Sequence, residues 1–326
     1  MKPQTDDLDT TTPDVTLFKG AANNPYFPVY FNALPEAGAD AVPHETRRVD
    51  LRPERDITLY VEIYNPQGSY PLIITPGGMG EIDGFGGFAR NIAAAASEVQ
   101  VIIWDRRNMG RSEVSFAGSE PLPAEEAEDL HVLLKRLEIG SATFYGMSSG
   151  SRSNLILAER HPEQIAGLVI APLTGGERAA EQLSREYYLG YLDDPSLTSM
   201  AAVAKTPLWS AYMERNPTEL QQAFLAQNLE QFLATMKRTG EHLESFRSKT
   251  TLGMTDEQLA ALDVPATLIL HHGAERDYLH PIVNSRAATT LLSNATFEFA
   301  ESLAPIVELL VPFVKTHTPA VRSRRS

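Results

Sequence analysis

Ala142-Thr143-Phe144-Tyr145-Gly146-Met147-Ser148-Ser149-Gly150-Ser151 is the stretch that decides how the rest of the chain is read. Ala142 to Tyr145 is a short β-forming run, Gly146 to Gly150 spells Gly-x-Ser-x-Gly, and a helical pattern follows from Ser151 to Arg160. In that order the five residues make a tight strand-to-helix turn. The central serine takes a strained backbone, which only small flanking residues permit, because strand and helix come close on both sides. The turn lifts the Ser148 hydroxyl above the sheet edge. It also points the Ser149 amide, at a helix N-terminus, toward the place where an oxyanion would form. Glycine and serine punctuate ordinary loops too, so the weight rests on the context.

Working outward, the elements alternate. Strand-like runs at about 47–51 and 57–63 flank Pro53-Glu54-Arg55-Asp56, which reads as a hairpin turn. Pro71–Thr75 is a short apolar strand running into Pro76-Gly77-Gly78-Met79-Gly80, where glycines let a backbone amide approach a ligand. A helix over 87–96, a strand over 99–104 and an amphipathic helix over 123–137 follow. The last has Pro123 near its start, Glu125, Glu126, Glu128 and Asp129 early, and leucines at 130, 133, 134 and 137. Ile165–Ala171 is another apolar strand. Apolar strands alternating with helices predict an α/β fold with a mostly parallel sheet covered on both faces.

From Glu177 to about Leu262 the strands stop. Helices are expected at about 178–191, 206–214, 217–236, 240–248 and 255–262, the last with a Thr255/Gln258 capping box. This insertion reads as a helical cap (177–262) on a core formed by 45–176 and 263–326, after an N-terminal arm over 1–44. Cap aromatics such as Tyr187, Tyr188, Trp209 and Phe224 are expected to divide between cap core and the lining of a cleft for a partly apolar substrate. The sheet resumes at 266–271, a helix runs from Pro281 to Leu292, and a last strand (296–300) and helix (303–314) close the pattern.

Composition narrows the chemistry. A formal charge of −14 argues against a nucleic-acid surface, and zero cysteines removes disulfides, thiolate zinc sites and thiol nucleophiles together. Serine is left as the nucleophile of that kind. Histidines and carboxylates do not combine at metal-ligand spacing, and no nucleotide-binding glycine fingerprint opens a helix, so no metal and no cofactor are expected. A polar N-terminus and the lack of a spanning apolar run predict a cytoplasmic protein acting on a small molecule, away from membranes.

Taken together, residues 45 to 315 resemble the α/β-hydrolase superfamily, in particular capped esterases and proline iminopeptidases. Pro76-Gly77-Gly78-Met79-Gly80 is similar to the His-Gly-Gly-Pro-Gly loop of many members, with its first and fourth positions replaced. Asp105–Ser112 resembles the family's Asp-x-Arg-Gly-x-Gly-x-Ser stretch, and Leu130 through Gly150 its leucine-rich helix and nucleophile elbow. The resemblance implies an eight-stranded sheet with a helical cap over the serine. It also implies Ser148 as nucleophile, Asp277 as acid, and the amides of Gly78 and Ser149 as the oxyanion hole.

One part departs from the family. Such enzymes carry the catalytic histidine after the last strand, where this chain reads Phe299-Ala300-Glu301-Ser302-Leu303-Ala304-Pro305, with Leu303 in the histidine's place. No histidine lies between His280 and His317, and His317 sits beyond a helix on the order of 15 Å long. His280, three residues after Asp277 on the same rim, is the first candidate for the displaced base; His242, His271, His272 and Glu301 are the others. Three functions stay open on this reading. The first is an esterase or lactonase with a displaced base. The second is a lyase, cyclase or isomerase that uses the oxyanion hole for an enolate. The third is a ligand-binding pseudoenzyme.

Overall fold

The strands that read as uninterrupted apolar runs are those buried on both faces. In the computed structural model, which describes residues 42–271, 278–300 and 303–320, β3 (Tyr70–Thr75), β4 (Val99–Trp104), β5 (Ala142–Gly146), β6 (Ile165–Ile170) and β7 (Thr267–His271) are almost wholly inaccessible. With β1 (His44–Asp50), β2 (Thr58–Tyr64) and β8 (Ala295–Phe299) they form one eight-stranded sheet in the order β1-β2-β4-β3-β5-β6-β7-β8. β1 and β2 form the expected antiparallel hairpin, β2 also runs antiparallel to β4, and the remaining pairings are parallel.

Helices cover both faces. On one side α2 (Leu122–Arg136) and α3 (Ser149–Arg160) pack Leu130, Leu133, Leu155 and Leu157 against Ile73, Phe144 and Ile170. On the other, α1 (Ile82–Ala95) and α11 (Leu303–His317) bury Phe88, Ile92, Ile306 and Leu310 against Leu72, Val101 and Tyr145. Between β6 and β7 come α4 (Glu177–Ser184), a π-helical turn (Arg185–Leu189), α5 (Met200–Val203), α6 (Pro207–Arg215), α7 (Thr218–Leu225), α8 (Leu229–Ser245) and α9 (Asp256–Ala260). Their aromatic centre is Trp209, Tyr212, Phe224 and Phe232 around Phe116, with ring centroids such as Trp209–Phe224 4.8 Å apart. The helix α10 (Ile282–Leu291) lies between β7 and β8.

Several boundaries differ from the sequence reading: the helix expected over 87–96 starts at Ile82, the one expected over 178–191 gives way to the π-helical turn after Ser184, and Met200–Val203 was not expected. The helix expected over 217–236 breaks at 226–228, because the Asn228 side chain caps a new helix by accepting from the Gln231 amide. That helix then runs through Gly240, where a break had been expected. A Cβ on Gly240 would meet Leu189 Cγ at 2.4 Å, so the glycine serves close packing of α8 on the π-helical turn. The Thr255/Gln258 capping box forms as expected. The N-terminal arm lies outside the described residues apart from its last three positions. Among the described residues no helix is long and apolar enough to cross a membrane.

Candidate active site

Ser148 stands between β5 and α3 with φ 50° and ψ −110°, the strained backbone that its flanking glycines were expected to allow. The glycines are needed for a steric reason. A Cβ on Gly146 would lie 2.6 Å from Ser151 Cα, and one on Gly150 would lie 2.2 Å from the Thr75 carbonyl oxygen. Strand, turn and helix are therefore in backbone contact on both sides of the serine. Gly77, whose Cβ would sit 2.4 Å from the Met147 oxygen, presses the glycine loop after β3 onto the same turn. At Gly78 φ is +56°; its carbonyl accepts from the Arg106 guanidinium and, at 3.3 Å, from Ser149 Oγ, so this peptide is held in place.

The Ser148 hydroxyl has two side-chain partners among the described residues. His280 Nε2 lies 2.8 Å from Ser148 Oγ, and Thr174 Oγ1 lies 3.2 Å away. His280 sits just before Pro281, the cap residue of α10, and is 8% exposed. The loop after β7, rather than the loop after β8, thus delivers an imidazole to the serine. Of the other candidate bases, His271 is buried at the end of β7, stacks on Phe297 and Phe299, and lies 3.3 Å from Ser285 Oγ. His242 packs edge-on against Phe246, and burial pushes its ring below the usual histidine value. Neither lines the cavity that holds Ser148. Asp277, His272 and Glu301 lie outside the described residues.

That cavity is amphipathic. Gly78, Ser148, Ser149 and His280 line it together with Met79, Tyr187, Tyr188, Leu208, Trp209 and Met236, which supply apolar wall from the glycine loop and the cap. The expected division of the cap aromatics therefore takes this form: Tyr187, Tyr188 and Trp209 face the cavity, while Tyr212, Phe224 and Phe232 are fully buried core. Tyr187 Oη stands 3.9 Å from where a Gly78 Cβ would be, and burial pushes its hydroxyl up to about 12, so it remains a proton donor at neutral pH.

The floor is charged, which the sequence reading missed. Glu125, Glu126 and Asp129 had been read as helix-start acids favoured by the dipole. They are instead buried and bound to arginines from the segments after β1 and β4. Arg106 bridges Glu126 at 3.1 Å, Arg107 bridges Asp129 at 2.7 Å, and Arg55 reaches Asp129 at 2.8 Å and also Glu125. The pairing joins positions far apart in sequence and leaves no local signal. Elsewhere, one histidine–carboxylate group among the described residues brings its donors within 4.8 Å: His131, His161 and Glu163. The two rings stack at 3.5 Å, His131 Nδ1 meets Gln164 at 2.8 Å, and His161 Nε2 meets Glu128 at 3.2 Å, so these donors already have partners away from the cavity.

A mostly parallel sheet with a strained serine after its central strand, a histidine on that serine and a glycine loop beside it define an α/β-hydrolase architecture. The chain belongs to that family: the family described as alpha/beta hydrolase fold matches residues 70–251. Among similar proteins, "Putative carbamate hydrolase RutD" of Caulobacter sp. (strain K31) is 25% identical over 252 residues, covering 74% of this chain and 87% of the relative. Est816, an N-acyl homoserine lactone degrading enzyme, superposes with a TM-score of 0.55 at 18% identity, over 82% of this chain and 100% of its own. A proline iminopeptidase of Mycobacterium smegmatis does so with a TM-score of 0.52 at 16% identity, over 84% and 98%. These two structural likenesses speak for the fold.

Proposed function

We propose that the protein is a serine hydrolase for an ester or lactone of a small to medium, partly apolar substrate. The observation that carries this reading is the 2.8 Å contact between His280 Nε2 and the hydroxyl of a serine held at φ 50°. His280 takes the Ser148 proton as Oγ attacks the carbonyl carbon, and the carbonyl oxygen gathers the charge, facing the amides of Gly78 and Ser149. His280 then returns the proton to the leaving alkoxide, and the acyl–Ser148 ester remains. Water attacks that ester with His280 again as base, and the acid product leaves with Ser148 restored. The reaction balances with substrate and water alone. Asp277 keeps the role its position suggests, orienting the imidazole. Carbamates, with the same electrophilic carbonyl, belong in the substrate screen because of the relative's name.

The lyase-type reading was motivated by the vacant loop after β8, and a histidine on Ser148 from another loop removes that motive. Intact-mass measurement after a fluorophosphonate probe tests the proposal, with Ser148→Ala as control. Stoichiometric labelling that vanishes in the variant is expected, together with Ser148-dependent turnover of short-chain aryl esters. A folded protein that neither labels nor turns over any ester would sink it.

A further inference from the structure

Arg152, one helical turn beyond Ser148 on α3, is a cation of the cavity that has no carboxylate partner among the described residues. It is 5% exposed, lines the same cavity as Ser148 and His280, and its Nε and Nη1 are buried without a hydrogen-bond partner. The neighbouring acids are already engaged. Glu126 accepts two bonds from Arg106, at 3.1 and 3.2 Å, and one from Ser153 Oγ at 2.6 Å. Asp129 takes a two-pronged pair from Arg107, both bonds 2.7 Å, and a third from Arg55. Glu125 accepts from Arg55 and stands 3.9 Å from Arg107. Of the charged residues that line the cavity, Arg106, Arg107, Glu126 and Arg152, the first two are held by these carboxylates, and Arg152 has none among the described residues.

A buried arginine stays protonated, and an unpaired buried cation is costly enough that its partner has to be accounted for. Packing fixes the position of this one. A Cβ placed on Gly253, which sits at φ +96°, would lie 3.7 Å from Arg152 Cβ and Cδ, an ordinary contact distance, so the side-chain stem runs close beside this backbone. The residue lines the same cavity as Arg106, Glu126, Tyr187 and Tyr188.

We propose that Arg152 binds a carboxylate of the substrate, so that the ester cleaved at Ser148 carries an acidic group on a short apolar arm. The proposal rests on the hydrolase reading for its chemistry and on Arg152 for its specificity. A planar guanidinium edge offers two parallel N–H donors to one carboxylate, and the arm spans the tyrosine-lined section between floor and serine. Helical geometry sets the scale: the Cα atoms of residues 148 and 152 lie about 6 Å apart along the axis. The negative charge of the whole chain does not prevent this, because the enclosed local pair is screened far less than surface charges are.

The test is calorimetric binding to Ser148→Ala protein, which cannot turn the ligands over. The probes are monomethyl esters of the four- to eight-carbon straight-chain dicarboxylic acids, each compared with its dimethyl ester. At least one monoanion is expected to bind about tenfold or more tightly than its uncharged diester, the scale of a charge-assisted hydrogen-bond pair. Arg152→Met should abolish the preference and Arg152→Lys should keep part of it. Equal binding of acid and diester throughout the series overturns the proposal without any Arg152 variant, so misfolding of the variants cannot shelter it. A preference that survives in folded Arg152→Met overturns it too. Fluorophosphonate labelling separates the two readings: labelling without acid preference removes this inference alone, and acid preference without labelling or turnover removes the hydrolase alone.

Discussion

Replacing His280 by alanine removes the imidazole that lies 2.8 Å from Ser148 Oγ and leaves Thr174 Oγ1, at 3.2 Å, as the hydroxyl's remaining side-chain partner among the described residues. A threonine hydroxyl can share a hydrogen bond but cannot accept a proton at neutral pH, so the serine becomes an ordinary alcohol. The Gly78 and Ser149 amides and the other cavity residues are untouched. The loss is therefore that of general-base catalysis, about 10³-fold in kcat, or about 4 kcal/mol of barrier, with a much smaller change in KM. The assay is steady-state hydrolysis of a short-chain aryl ester, with the rate of fluorophosphonate labelling as a readout that does not depend on deacylation. Because His280 lines the cavity, the space it vacates is open to a small molecule, and added imidazole should restore part of the labelling rate in His280→Ala. His271→Ala and His242→Ala, away from the serine, should label at close to the wild-type rate. Labelling of His280→Ala within about tenfold of wild type would refute the assignment and place the base elsewhere.

Two further expectations concern the scaffold. Gly150→Ala drives a Cβ to 2.2 Å from the Thr75 carbonyl oxygen and should cost about 3 kcal/mol, whereas Gly87→Ala, in α1 with nothing within 4 Å, should stabilise by about 0.5 kcal/mol; urea denaturation reads both, and equal effects would contradict the packing argument. Asp105 accepts from the Ile82 and Arg111 amides, and burial pushes its carboxyl up to about 7 from 3.8. The folded state then holds a proton that the unfolded state releases, so stability should fall as pH rises from about 4 to 7 and level off above. Asp105→Asn should flatten that segment of the urea-derived stability profile, and parallel profiles for the two proteins would count against it.

The elements legible in the sequence were those whose cause is local. β3, β5 and β6 are apolar runs bounded by turn residues, and the strained serine follows from the spacing of Gly146 and Gly150 around it. What could not be read is what depends on distant partners. Gly240 looks like a helix break until Leu189 is seen against it, and Glu125, Glu126 and Asp129 look like solvent-facing helix-start acids until Arg55, Arg106 and Arg107 are brought over them. Arg152 gives no sign in the sequence that it lacks a carboxylate among the described residues, since a guanidinium is unpaired only by reference to the acids around it. His280 falls between these cases. Its place on the rim beside Asp277 could be read from the sequence, but its 2.8 Å approach to Ser148 could not.

Sheet order explains why that histidine is well placed. β5 carries the serine, and the strands beyond it run β6, β7, β8. At about 4.8 Å per strand, the loop after β7 starts about 10 Å from the serine strand and the loop after β8 about 14 Å. A histidine on the nearer loop needs a shorter excursion to bring Nε2 to the hydroxyl, and Pro281 at the start of α10 limits the backbone immediately behind it. On the roles proposed for them, chain order is also preserved, because Ser148, Asp277 and His280 follow one another as nucleophile, acid and base do in this architecture. If Asp277 is the acid, acid and base share a single connection three residues apart, and the loop after β8 is relieved of catalysis. Substitutions at Ser302 or Leu303 should then affect activity only as far as they disturb folding, whereas any change in the β7–α10 connection should act on acid and base together.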